Sequence, residues 1–80
     1  MLSEVEKAIL ERMLLDKIIG GKHTSADNIP KGFPKHLIGE AKDSLKRLIK
    51  KGYIIAKPTS YGIEVSLNPT RLKEIIKLLD

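Results

Sequence analysis

Lys35, Lys42, Lys46 and Lys50 recur at intervals that place them along one side of a helix, with Gly39 completing the series at i, i+4, i+7, i+11 and i+15. A row of ammonium groups at that spacing does one kind of chemistry well: it neutralises a polyanion such as a phosphodiester backbone. Residues for covalent or metal chemistry are sparse by comparison. His23 and His36 lie thirteen positions apart, with no HExxH pair, no cysteine and no paired carboxylates, so a third metal ligand has no evident place. Ser25, Ser44, Ser60 and Ser66 lack the strand-turn-helix setting of an activated nucleophile. Gly20-Gly21-Lys22-His23-Thr24 follows a helix and lacks the spacing of a phosphate-binding loop. The expectation is a non-enzyme with no cofactor and no metal.

The charge is uneven in a way that supports the polyanion reading. The chain has 80 residues and a formal net charge of +5. Between Met1 and Gly20 the acids Glu4, Glu6, Glu11 and Asp16 outnumber Lys7, Arg12 and Lys17 by one. Between Gly21 and Lys57 nine bases face only Asp27, Glu40 and Asp43, an excess of +6. From Pro58 onward the charges balance. The positive excess therefore surrounds the candidate basic helix, the footprint expected of nucleic-acid binding.

Composition bounds the rest. Eighty residues with no cysteine make one domain whose core must come from aliphatic packing, without disulfides or thiolate metal sites. There is no Trp, one Phe and two Tyr. No apolar run exceeds four residues, so no membrane span is expected. The acidic start, Met1 to Glu6, is unlike a signal peptide, and a reduced cytoplasmic location is the default expectation.

The elements that must position the lysines follow from periodicity. Ser3-Glu4-Val5-Glu6 fits a capping box, opening a first helix from about Glu4 to Lys17 that Gly20-Gly21 stops. Thr24 or Ser25 is expected to cap a short helix through Ala26 to Ile29, with Pro30 disfavouring helical backbone at Ile29. Phe33 should anchor the following turn against the core beside the first helix. The basic helix should run from Lys35 to about Lys51, with Pro34 at its start, Gly52 at its left-handed close, and Leu37/Ile38, Ala41, Leu45 and Leu48/Ile49 facing inward. Gly39 marks a close approach by a backbone or a ligand. Asp43 stands i, i+4 from Arg47, the spacing of an internal ion pair. A carboxylate turned toward phosphates would be repulsive, so Glu40 and Asp43 should point to the flank if this helix enters a groove. Tyr53 to Lys57 and Ile63 to Leu67 read as two strands joined through Pro58 and Gly62, the second with Ile63, Val65 and Leu67 inward. Asn68-Pro69 caps a last helix whose seam is Leu72, Ile75, Ile76 and Leu79, covering the core or pairing with a second subunit as a homodimer.

A helix ending in Leu45, Leu48 and Ile49, then Lys51-Gly52-Tyr53-Ile54 and a hairpin through Leu67, resembles the winged helix-turn-helix superfamily, and in particular many small microbial transcription regulators. The lysine-rich, cysteine-free character is similar to small archaeal members. The resemblance implies an α+β, mostly helical fold: a three-helix core, a two-stranded β-hairpin wing and a C-terminal helix, spanning residues 1–80 as one domain. It also implies a DNA-binding protein whose second helix-turn-helix helix lies in the major groove, N-terminal half nearest the bases. Carried onto this chain, Lys35, His36, Gly39 and Lys42 would face the bases, and Lys46 and Lys50 the backbone. Thr24 and Ser25 would donate to phosphate, and Lys57, Thr59, Ser60 and Tyr61 would form the wing tip. That half of the helix has no Arg, Asn or Gln, so phosphate neutralisation should dominate affinity. The segment from His23 to Pro34 departs from the family pattern, which usually has a full second helix and a compact turn. Structured RNA, as in a ribosome-associated domain, or a protein partner are the alternatives to duplex DNA.

Overall fold

The computed structural model describes Met1 to Asp80: four α-helices and a three-stranded antiparallel sheet, an α+β arrangement. Helix α1 spans Glu4–Leu15. Its capping box forms as expected: the Glu6 amide donates to Ser3 Oγ at 3.1 Å and the Ser3 amide donates to Glu6 Oε1 at 2.9 Å. Ile9, Leu10 and Met13 recur on one face and are buried. The helix ends two residues short of the expected Lys17. Lys17 itself takes a left-handed backbone (φ 55°), and the Ile18 amide donates back to the Met13 carbonyl at 2.9 Å. With the Lys17 amide donating to the Leu14 carbonyl at 3.1 Å, that reversal closes the helix before the glycines are reached. Ile18 to Gly20 then runs beside the far end of the sheet: Leu67 donates to the Ile18 carbonyl, and Gly20 to the Leu67 carbonyl.

Between His23 and Pro34 the structure corrects the sequence reading. Thr24 and Ser25 do not cap a helix. They form strand β1 (Thr24–Ser25), paired with Val65 and Glu64, so the sheet has three strands and not two. Helix α2 (Asn28–Lys31) begins after Asp27, which makes no side-chain cap, and it includes Ile29 despite Pro30. Pro30 stands in the first turn of a one-turn helix, where an absent amide forfeits no intrahelical bond, and its ring is buried. Phe33 packs partly buried against the core, as expected.

The basic helix also differs at its start. Lys35–Leu37 is a turn of 3₁₀ helix, and α-helix α3 begins only at Ile38, spanning Ile38–Lys50. Its close is the expected one. Gly52 (φ 85°) allows the Tyr53 amide to reach the Leu48 carbonyl at 3.1 Å. Strand β2 (Ile54–Thr59) turns into β3 (Gly62–Leu67), in register from Ile54 opposite Leu67 to Thr59 opposite Gly62. The order in the sheet is β1-β3-β2. Ile54, Val65 and Leu67 join Leu2, Ile9, Leu10, Met13, Leu45, Leu48 and Ile75 in one core. Ile63 is not inward as expected. It lies past the helical layer, opposite Pro58 near the hairpin end, and is exposed.

Asn68 caps the turn Pro69–Arg71 by accepting from the Thr70 amide, and its own amide group donates to the Gly52 carbonyl at 2.9 Å. Helix α4 (Leu72–Leu79) follows and packs on α1. Of its expected seam, Ile75 is fully buried, Leu72 and Leu79 are half-buried, and Ile76 is 43% exposed. Arg71 fastens this end: it pairs with Glu74 at 2.9 Å, lies 4.5 Å from the centre of the Tyr53 ring, and donates to the Lys51 carbonyl at 3.1 Å. No helix is long and apolar enough to cross a membrane.

Candidate nucleic-acid interface

The inward residues of α3 are Ala41, Ser44, Leu45 and Leu48. At about 100° per residue, the direction opposite them belongs to Gly39, Asp43, Lys46 and Lys50, with Lys42 to one side and Glu40 to the other. All six are exposed. Glu40 lies on the flank as expected, but Asp43 does not: helical spacing puts it in the outward direction among the lysines, against the sequence reading. Lys42, Lys46 and Lys50 engage in no ion pair and no hydrogen bond. Nothing lies within 4 Å of where a Cβ at Gly39 would stand, so the close approach expected there is not made inside the fold. Lys35 and His36 are exposed, but on the 3₁₀ turn, whose tighter winding takes Lys35 off the continuous α-helical stripe that the sequence suggested.

The expected pair between Asp43 and Arg47 does not form. Arg47 turns toward α1, donating to Ser44 Oγ at 2.9 Å and lying 3.7 Å from Glu6 Oε2. Lys51 reaches the same carboxylate at 3.2 Å. Glu6 is only 3% exposed. Burial pushes its carboxyl up, but the Ser3 amide and the Lys51 ammonium together outweigh that effect and hold it below the usual carboxylate value. Arg47 and Lys51 are thus tied to α1, and Lys42, Lys46 and Lys50 are the free cations of this helix.

The hairpin supplies a second surface. Tyr61 is 99% exposed at its tip, and Ser60 and Lys57 are exposed beside it. The Thr59 hydroxyl donates to the Gly62 carbonyl at 2.7 Å and accepts from the Tyr61 amide at 3.2 Å. It stands at the hairpin end, as expected, and holds the turn, with its proton spent inside the loop. Gly62 supplies the left-handed residue the turn requires (φ 124°). Thr24 and Ser25 stand on the opposite edge of the sheet from β2, which separates them from α3's series. Their hydroxyls accept from the Asn28 side chain and the Asp27 amide.

Sequence reasoning missed two clefts. One, about 440 Å³, lies between α1 and α2, floored by Ile9, Met13, Ile29 and Phe33 and rimmed by Arg12, Asp16, Thr24 and Asn28. The other, about 280 Å³, separates α2 from α3 beside Lys31 and Lys42. Helix α2 borders both, and only the Pro30-Gly32-Pro34 spacing foretells how short that helix is. His23 lies 3.9 Å from Glu64, and no group of three His, Asp or Glu side chains gathers that could hold a metal ion. Comparison with protein-family models, curated proteins and solved structures returned no match.

Proposed function

We propose that this chain is a winged-helix domain that binds duplex DNA through α3 and the β2–β3 hairpin, and that it acts as a transcription regulator. The observation that carries the reading is the free cationic face of α3. Lys42, Lys46 and Lys50 stand exposed and unpaired along the helix beyond Gly39, with Asp43 the one carboxylate among them, whereas the other two bases of the same helix end are held by Glu6. The order α1-β1-α2-α3-β2-β3, with β1 on the free edge of β3, agrees with a winged helix-turn-helix. In that arrangement α3 lies in the major groove, and the tip around Lys57, Ser60 and Tyr61 reaches the adjoining backbone. Phosphate contacts dominate affinity because lysine offers a point charge and not a bidentate fork.

Equilibrium binding to random duplex and to structured RNA across a salt series tests this. Duplex binding that weakens steeply with salt, with a slope of roughly −0.9 per phosphate contacted, is the expected result. Stronger binding to structured RNA transfers the same face to the RNA-binding alternative. No binding to either at low salt removes both, and leaves the lysines as a solvated surface.

A further inference from the structure

We infer that Asp43 is a base-reading residue of α3, its carboxylate accepting a hydrogen bond from the exocyclic amino group of a cytosine in the major groove. The inference rests on the duplex-DNA reading above. Asp43 occupies the outward direction of α3 together with Gly39 and Lys46, among the unpaired lysines. Its natural partner one turn on, Arg47, is drawn away to Glu6 and Ser44, and no cation lies within ion-pair distance of Asp43. Glu40, the other carboxylate of this helix, differs. It lies in the first turn of α3, where the helix dipole favours a negative charge, and it points to the flank.

An ionised carboxylate only accepts hydrogen bonds. Against a duplex it is repelled by every phosphate, so it needs a donor on a base edge. The major groove offers two, cytosine N4 and adenine N6. Adenine N6 sits between two acceptors, its own N7 and the paired thymine O4, which repel a carboxylate. Cytosine N4 has an acceptor on one side only, the guanine O6, and a C5–H on the other. The geometry of α3 favours the approach. Gly39, one turn before Asp43, carries no side chain and has open space around it, so the helix can settle close to the base edges at that level.

Selection of binding sites from random duplexes, run with the wild type, D43N and D43A, tests the assignment. The wild type is expected to favour a C·G pair at one position by roughly tenfold. D43N should move the preference at that position alone toward A·T, because asparagine pairs with adenine N6 and N7. D43A should lose preference there and bind the other bases more tightly than the wild type does. An unchanged profile in D43N, or equal tightening on every sequence in D43A, overturns the role of Asp43 and leaves duplex binding standing. Failure of the wild type to bind any duplex overturns both. Equal melting temperatures for the three proteins would show that the fold is the same in each.

Discussion

Helix α3 carries two sets of cations with opposite fates. Arg47 and Lys51 converge on the buried carboxylate of Glu6 and fasten the helix to the start of α1, while Lys42, Lys46 and Lys50 point away from the core and hold no partner. Lys46 and Arg47 are neighbours in sequence, yet they belong to different surfaces. The lesson is that a count of positive charge in this segment overstates what is free to meet a polyanion. The position of one carboxylate on a distant helix divides the set.

The largest expected effect comes from reversing the free set. K42E together with K46E should weaken duplex binding on the order of 100-fold at moderate salt and flatten the salt dependence, with the thermal transition nearly unchanged; a filter or fluorescence titration reads it. Next is the anchored set. Glu6→Ala removes half of the capping box and leaves Arg47 and Lys51 without their acceptor, and should cost about 2 kcal/mol in urea unfolding. The same carboxylate sets an acid dependence. Its value is lowered in the folded state from an ordinary 4.5, so its contribution is present above that value and fades as the pH falls through the lower, folded one. Stability of the wild type should drop in that window, and E6Q should flatten the profile there.

The comparison sharpens at adjacent residues. Arg47→Ala should lower stability by about 1 kcal/mol and leave affinity close to the wild type, whereas Lys46→Ala should do the reverse; equal shifts in both would erase the distinction between the two sets. The smallest effect is at Gly39. Gly39→Ala should stabilise the protein by somewhat less than about 1 kcal/mol, since the position is open, while weakening duplex binding by holding α3 off the bases.

How much of this was legible beforehand depends on the range of the interaction. The capping box of α1, the left-handed Gly52 and the inward stripe of α3 are set by residues within a turn or two of one another, and all three could be read from the sequence. Strand β1 could not, because two residues form a strand only where β3 offers a free edge, a fact of tertiary placement. Pro30 misled because its ring disfavours helical backbone at the preceding residue without forbidding it, and in the first turn it meets no preceding turn of helix and costs no intrahelical bond. Lys17 closes α1 in a conformation that sequence assigns to glycine. For the candidate interface, the lysine series was visible. The loss of Arg47 to Glu6 was not, since helical spacing alone pairs Arg47 with Asp43, and only the packing of α1 on α3 brings the competing carboxylate near.

The brevity of β1 has a consequence for self-association. Its two residues, with the bond from the Ala26 amide to the Ile63 carbonyl at 2.9 Å, cover the outer edge of β3 from Ile63 to Val65, and Ile18 and Gly20 cover it at Leu67. When that short segment opens, β3 presents unpaired backbone groups at Ile63 and Val65, a template for a strand of another molecule. Only Glu64, a charge on the exposed edge, then opposes stacking. The segment from Thr24 to Ala26 therefore guards this edge of the sheet against fibril-like pairing, and a proline at Ala26, which deletes its bond to Ile63, would be expected to shorten the soluble lifetime of the protein on warming.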